Sequence, residues 1–202
     1  MYNAFINFKH NLEESKALSA LYNYLVETVH TPMPYDDVLR AQFVYSVSAF
    51  DKFMHDIILI GLVDTYIGAR SPTDKYYGEV LPMRTIDILS SSTLPPPEFH
   101  FREAMRAKLK IISYQDPNKI ADGLSYIWRE SHKWAKVAVN MGLTEDVVKT
   151  KLRLIADRRN AIVHESDVNP ATQKKFVIDA ISTNEITQFL HDCGTEIYNL
   201  VK

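Results

Sequence analysis

Thr144-Glu145-Asp146-Val147-Val148-Lys149-Thr150-Lys151-Leu152-Arg153-Leu154-Ile155-Ala156-Asp157-Arg158-Arg159-Asn160-Ala161-Ile162-Val163-His164-Glu165 reads as a helix with one misfit in its apolar face. Thr144 supplies an N-cap oxygen, and Glu145 and Asp146 suit the positive end of the helix dipole. Val148, Leu152, Ile155, Arg159 and Ile162 follow one another at steps of four and three, which stacks them along one side. Four are aliphatic and one is an arginine. A guanidinium stays charged, so it must be paired or reach water. His164 lies five positions after Arg159, about 140° around the helix, and Asn160 lies only about 40° from His164. The stretch therefore joins a permanent cation, an amide and the one side chain that titrates near neutral pH. A plainer reading is also open: the arginine snorkels to solvent, and the histidine complements the dipole at the helix end.

Helical patterns continue on both sides. Residues from about 3 to 30 read as a first helix, with Phe5, Phe8, Leu12, Leu18, Leu21, Leu25 and Val29 as its stripe and Pro32 and Pro34 ending it. A second helix is expected from about Tyr35 to Ile67, with Phe43, Val47, Phe50, Met54, Ile57 and Gly61 inward. Beside that face Ser48, Asp51 and His55 form a polar ridge, and Asp51 could pair with His55 at the four-residue spacing. Residues 68–97 are punctuated by Gly68, Pro72, Gly78, Pro82 and Pro95-Pro96-Pro97. They read as an irregular insertion with short helices near 72–78 and 82–91. Helices follow over Glu98–Ser113 and from Asp116-Pro117 to about Met141, the latter closed by Gly142. After Asn169-Pro170 and a short extended piece at 174–178, Ser182-Thr183-Asn184-Glu185 resembles a capping box for a last helix. In that helix Ile186, Leu190, Cys193, Ile197 and Leu200 share a face. The expectation is an all-α bundle in a single domain over 1–202.

Charge and cysteine usage narrow the function classes. The net charge of −2 argues against coating long nucleic acid, though not against a small site with a few local cations. One cysteine, Cys193, precludes an internal disulfide and suits a cytoplasmic setting, where it reads as a small buried hydrophobe. Met1-Tyr2-Asn3-Ala4-Phe5 lacks the blocks of a signal peptide. The most apolar run, 57–63, is far shorter than the roughly 20 residues that span a bilayer, so no membrane role is expected. No cofactor or metal site is expected either: there is no paired cysteine, no His-Glu-x-x-His and no Gly-rich phosphate loop.

RNA cleavage needs less equipment, because the ribose 2′-hydroxyl is itself the nucleophile. A proton carrier near neutral pKa and a cation for the charge on the phosphate suffice. Histidine fits the first role. Arginine fits the second, since its planar fork can hold two phosphate oxygens.

Arg159-Asn160-Ala161-Ile162-Val163-His164 resembles the arginine, polar residue, spacer, histidine motif of the HEPN superfamily, late in a penultimate helix. These are small all-α proteins, many of them RNA-cutting toxins and defence effectors of prokaryotes. Arg40-Ala41-Gln42-Phe43-Val44-Tyr45-Ser46-Val47-Ser48-Ala49-Phe50-Asp51-Lys52-Phe53-Met54-His55-Asp56 resembles the early helix of the RiboL-PSP-HEPN branch, which tends to carry an aspartate and a histidine four apart. The resemblance runs through 35–70 and 145–200 and leaves 70–140 as helical filler. In one respect the chain departs from it. Branch members paired with nucleotidyltransferases often have a tyrosine two residues after the histidine, where this chain has Ser166.

The resemblance implies a metal-independent endoribonuclease acting as a homodimer with a composite cleft. His164 would be the general acid/base, Arg159 the phosphate cation and Asn160 an orienting group. Arg158 is a second candidate cation, and Asp51, His55, Ser48 and Glu165 are supporting residues. An antitoxin or a second effector protein is a possible partner. Arg159 on an apolar seam, with Ile162, Val163 and part of 57–63 beside it, suggests where two subunits would meet. The alternative from another class is a non-catalytic RNA-binding or protein-interaction module built on the same helices.

Overall fold

The structure is a computed structural model that describes residues 1–30 and 33–202. Its α-helices are α1 (Tyr2–Tyr24), α2 (Asp36–Tyr66), α3 (Asp74–Tyr77), α4 (Met83–Ser91), α5 (Pro97–Leu109), α6 (Pro117–Leu124), α7 (Lys133–Asn140), α8 (Glu145–His164) and α9 (Ala180–Val201). No strand is present among the described residues, where a lone bridge joins Val168 to Lys175. The all-α expectation holds. No helix among the described residues is long and apolar enough to cross a membrane.

The centre of the bundle is α2, and α1, α9, α5 and α8 pack around it. All six inward positions expected of it are buried, from Phe43 to Gly61. The apolar run 57–63 belongs to this core, where Ile57, Ile58 and Leu62 are fully enclosed. The run is therefore mostly spent inside the chain, and within it Ile60 alone is left partly exposed. Gly194 of α9 faces Phe8 so closely that an added Cβ would collide with the ring, so glycine there lets α1 and α9 meet. Three hydroxyls in the same core satisfy one another in a chain: that of Ser46 bonds those of Ser15 (2.9 Å) and Thr187 (2.9 Å), tying α2 to α1 and α9. Cys193 is enclosed on α9, and burial raises its thiol pKa, as suits a small core residue.

Several expected boundaries move, each for a physical reason. The stripe of α1 turns away after Leu12: Ala4, Phe8, Leu12, Ser15 and Ser19 are buried, whereas Leu21 and Val29 are exposed. The six-residue step from Leu12 to Leu18 rotates the pattern by about 120° on a helix of 3.6 residues per turn. After Tyr24 the chain makes a π-helical turn (Leu25–Val29) that ends at His30 with φ 48°. The role expected of Pro32 lies outside the described residues.

The helix expected from Asp116-Pro117 to Met141 is two helices. Asp116 caps α6 as anticipated, accepting from the N–H groups of Asn118 and Lys119. The chain then breaks because tertiary donors take the carbonyls that would continue the ladder. Thr73 Oγ1 donates to Tyr126 O (3.1 Å) and Arg70 Nη1 to Ile127 O (3.0 Å), and locally Lys133 Nζ donates to Glu130 O three residues back. Trp134 Nε1 donates to Pro117 O (2.9 Å), which ties α7 to the start of α6, while α7 itself packs on α8 and α9. The last helix begins earlier than the Ser182–Glu185 pattern suggested, since Asp179 is its cap and accepts from the Ser182 N–H at 2.8 Å. The insertion does carry short helices, α3 and α4, neither with a buried residue, and Tyr76, Leu81 and Leu89 rest on the core.

Candidate functional site

On α8 the seam lies as its spacing predicts. Val148, Leu152 and Ile155 are buried, Arg159 is half-buried, and Ile162 packs against the edge of the core. Arg159 continues that seam and lines a cleft of about 630 Å³. The walls come from α2 (Ser48, Asp51, Lys52, His55, Asp56, Leu59), the end of α5 (Arg106, Leu109, Lys110), Gln115 and Arg159. The cleft thus gathers Arg159 with the polar ridge of α2, which lies more than a hundred residues away in sequence.

Charge distinguishes this cleft from the rest of the molecule. Lys52, Arg106, Lys110 and Arg159 face Asp51 and Asp56, four cations against two carboxylates, in a chain whose net charge is −2. Two of the cations have exposed acidic neighbours, Lys52 with Asp56 (2.7 Å) and Arg106 with Glu103 (2.6 Å). Exposed pairs of this kind are worth about 0–1 kcal/mol, so an incoming anion can displace them. Arg159 has no carboxylate at ion-pair distance among the described residues. Its Nη1 donates to Asn160 Oδ1 at 3.2 Å, and its Nε is enclosed without a partner. A cation held this way is prepared for an anionic ligand.

The other expected residues divide between the cleft and the surface. Ser48 is exposed on the cleft rim. His55 lies inside the cleft with its ring edge-on to Tyr114, centroids 4.7 Å apart. His55 Nε2 and Asp51 Oδ1 are 3.9 Å apart, too far for a hydrogen bond, so the expected Asp51–His55 pair is only a loose ionic contact. Asp51 instead accepts the backbone N–H of Tyr114 at 2.5 Å and fastens the α5–α6 connection to α2. His164 is exposed at the last position of α8 and does not line the cleft, as its 140° offset from Arg159 requires. Asn160, Val163 and Glu165 are also exposed.

Asp51 therefore has a measurable structural role. Asp51→Asn keeps an acceptor for Tyr114 and should shift the melting temperature little. Asp51→Ala removes a charged hydrogen-bond acceptor worth about 1.5–3 kcal/mol. At roughly 2–4 °C per kcal/mol for a chain of this size, the melting temperature should fall by about 3–12 °C. Equal melting of wild type and Asp51→Ala would refute this anchoring.

Arg158 has a different task from its neighbour. Its Nη2 donates to Asp167 Oδ2 at 2.9 Å and to Val177 O at 3.2 Å, and its guanidinium lies over the Phe176 ring. Asp167 is fully buried, and Arg40 Nε donates to the same oxygen at 2.7 Å. Arg40 also donates to Phe176 O (2.7 Å). The Asp167 N–H donates to Ala161 O (2.9 Å) across the turn that follows His164, where Ser166 and Asp167 have φ of 54° and 58°. This clamp fixes the chain beyond α8, which makes Arg158 a structural cation. The sequence reading missed Arg40 and Asp167. Arg40 was detectable by the signal that exposed Arg159, because Arg40, Phe43, Val47 and Phe50 step along one face and only the arginine is polar. Asp167 offered no such signal, since an aspartate in a polar turn is ordinarily solvated.

The position of Arg159 does not by itself require a second subunit. Its own chain supplies the wet, anion-attracting space that a seam arginine needs.

A family model described as RiboL-PSP-HEPN matches residues 9–201, so the likeness includes α1 and the middle helices as well as the two stretches quoted above. No curated protein and no solved structure gave a match. With the helical bundle and a match over nearly the whole length, the chain belongs to the HEPN superfamily, in its RiboL-PSP-HEPN branch.

Proposed function

We propose that this protein is a metal-independent endoribonuclease, working in the cytoplasm as a toxin or phage-defence effector and open to restraint by an antitoxin or a second effector protein. The observation that carries the reading is Arg159, a cation without an acidic partner among the described residues, which lines a positively charged cleft five residues before an exposed histidine. A general base takes the proton of a ribose 2′-hydroxyl, and the 2′-oxygen attacks the adjacent phosphorus. The bond from phosphorus to the 5′-oxygen breaks, and a general acid protonates that oxygen. The products are a 2′,3′-cyclic phosphate and a 5′-hydroxyl. Arg159 holds the phosphate as negative charge accumulates on it, and Asn160 steadies the Arg159 guanidinium or a ribose hydroxyl.

Two proton carriers are needed and one chain presents two different histidines. His55 stands in the cleft with Arg159, and His164 stands outside it. A homodimer that brings the two α8 ends together would set His164 of each chain beside the cleft of the other, and Ile162 and Val163 are the apolar residues available for that contact. The placement of His164 away from Arg159 within one chain favours a second reading, a helical RNA-binding module without catalysis.

The test is cleavage of total RNA in EDTA by wild type, His164→Ala and His55→Ala, with the new ends identified chemically. A composite site predicts that His164→Ala loses about 10²- to 10⁴-fold in rate, the usual contribution of a positioned acid or base. A site internal to one chain predicts that loss for His55→Ala instead. No cleavage by the wild type would leave the binding module.

A further inference from the structure

The cleft does not end at Ser48. Along the solvent face of α2, Tyr45, Ser48 and Lys52 follow at steps of three and four and form one ridge. Ser48 and Lys52 line the Arg159 cleft and also a second hollow beside α1, where Tyr45 is a further wall. Tyr45 in turn borders a third hollow with Asp37, Arg40, Ala41, Val44, Ile162, Ser166 and Lys175, in which Lys175 pairs with the exposed Asp37 at 2.7 Å. Tyr45 thus stands between the hollow beside α1, which shares Ser48 and Lys52 with the Arg159 cleft, and a hollow walled by Ile162, one turn beyond Arg159 on α8. Tyr45 is 59% exposed, although the other aromatics of α2 between Phe43 and Phe53 are buried. A tyrosine left in solvent on the ridge that leads into a four-cation cleft has the makings of a base-stacking platform.

Resting on the reading that this protein handles RNA, we propose that Tyr45 stacks an unpaired base of single-stranded RNA next to the phosphate held by Arg159. The chemistry selects the ligand class. Every nucleobase offers a π-face to an aromatic ring, but only a strand that is not paired can turn a base out onto it. Lys52 lies seven positions after Tyr45, about 10 Å along the helix axis, so one strand can lie against the ring and the ammonium together. A duplex keeps its bases stacked on one another and would meet only the cations. The platform thus selects the strand form of the substrate, and Arg159 with the histidines would act on what it retains.

The experiment measures binding separately from cleavage. The probe is a short fluorescein-labelled 2′-O-methyl oligoadenylate, whose blocked 2′-oxygen prevents cutting, used alone and annealed to its complement. Tyr45→Ala should bind the single strand about 5- to 100-fold more weakly, the range given by loss of one stacked base. Tyr45→Phe should bind like wild type, and duplex affinity should be the same in all three. The ring is on the surface, so matching melting temperatures will verify the folds. The proposal is overturned if Tyr45→Ala binds the single strand as wild type does, if Tyr45→Phe is as weak as the alanine variant, or if wild type does not bind the strand. Tyr45-dependent binding without RNA cleavage would uphold the platform while removing the nuclease reading. Cleavage with Tyr45-independent binding would remove only the platform.

Discussion

Arg159→Ala is expected to slow RNA cleavage by about 10²- to 10³-fold, the loss that follows removal of one preorganised donor from a developing oxyanion, while the fold survives. The two effects separate because of how the guanidinium is held. It has no ion pair to lose among the described residues, and its single bond runs to the neighbouring Asn160 amide. The buried Nε is unsatisfied, so removing it relieves a cost while the packing of the stem is lost. The melting temperature should therefore stay within a few degrees of wild type. Arg159→Lys keeps the charge but not the two-pronged fork, and should fall between. Arg158→Ala is the control one residue away, and it should melt earlier because it takes a bond from Asp167. Wild-type cleavage by Arg159→Ala would remove the arginine from the mechanism.

The largest loss of stability is expected from Asp167→Ala. Its carboxylate is completely enclosed and receives Arg40 Nε at 2.7 Å and Arg158 Nη2 at 2.9 Å. Burial lowers the Arg158 pKa and the nearby Arg40 charge does the same, whereas Asp167 opposes both. Without the aspartate the Arg40 side chain, only 7% exposed, would keep just the solvated Asp37 as an anionic neighbour. Breaking a buried pair by removing one partner costs about 3–5 kcal/mol, because a desolvated charge is left uncompensated. That cost corresponds to a fall in melting temperature of roughly 6–20 °C. Hydrogen exchange should quicken at the end of α8, where the Asp167 N–H now closes on Ala161 O. Calorimetry that places Asp167→Ala within a degree of wild type would show that the clamp contributes nothing net. Asp167→Asn retains the shape and one acceptor oxygen and should lie between the two.

Periodicity was a reliable guide wherever burial is one-sided. The inner faces of α2 and α8 are as their three- and four-residue steps place them, since a helix must turn its apolar side to the core, and on α9 Leu190, Cys193 and Ile197 are buried while Ile186 and Leu200 sit at the edge of the face. Caps at Asp116 and Thr144 were legible for a similarly local reason, as each satisfies N–H groups two or three residues on. The same locality explains the failures. The break between α6 and α7 is made by Thr73 and Arg70 reaching carbonyls more than fifty residues away, and no short window of residues contains both partners.

The candidate site divides along that line. From the sequence alone came a charged, fork-shaped group on an apolar seam at Arg159, a histidine set 140° away from it, and the family motif that joins them. Tertiary structure decided what surrounds that arginine. Packing α2 and α5 against α8 made a cleft with four cations, brought Asp51 and His55 into it, and left His164 outside. Two arginines adjacent in the chain acquired opposite roles because the turn after α8 buries Asp167 beneath one of them and not the other. Sequence determines which helix face a residue occupies, because that depends on a fixed turn angle. Whether the face meets a carboxylate, a core or an open cleft depends on segments far away along the chain, which only the folded structure brings together.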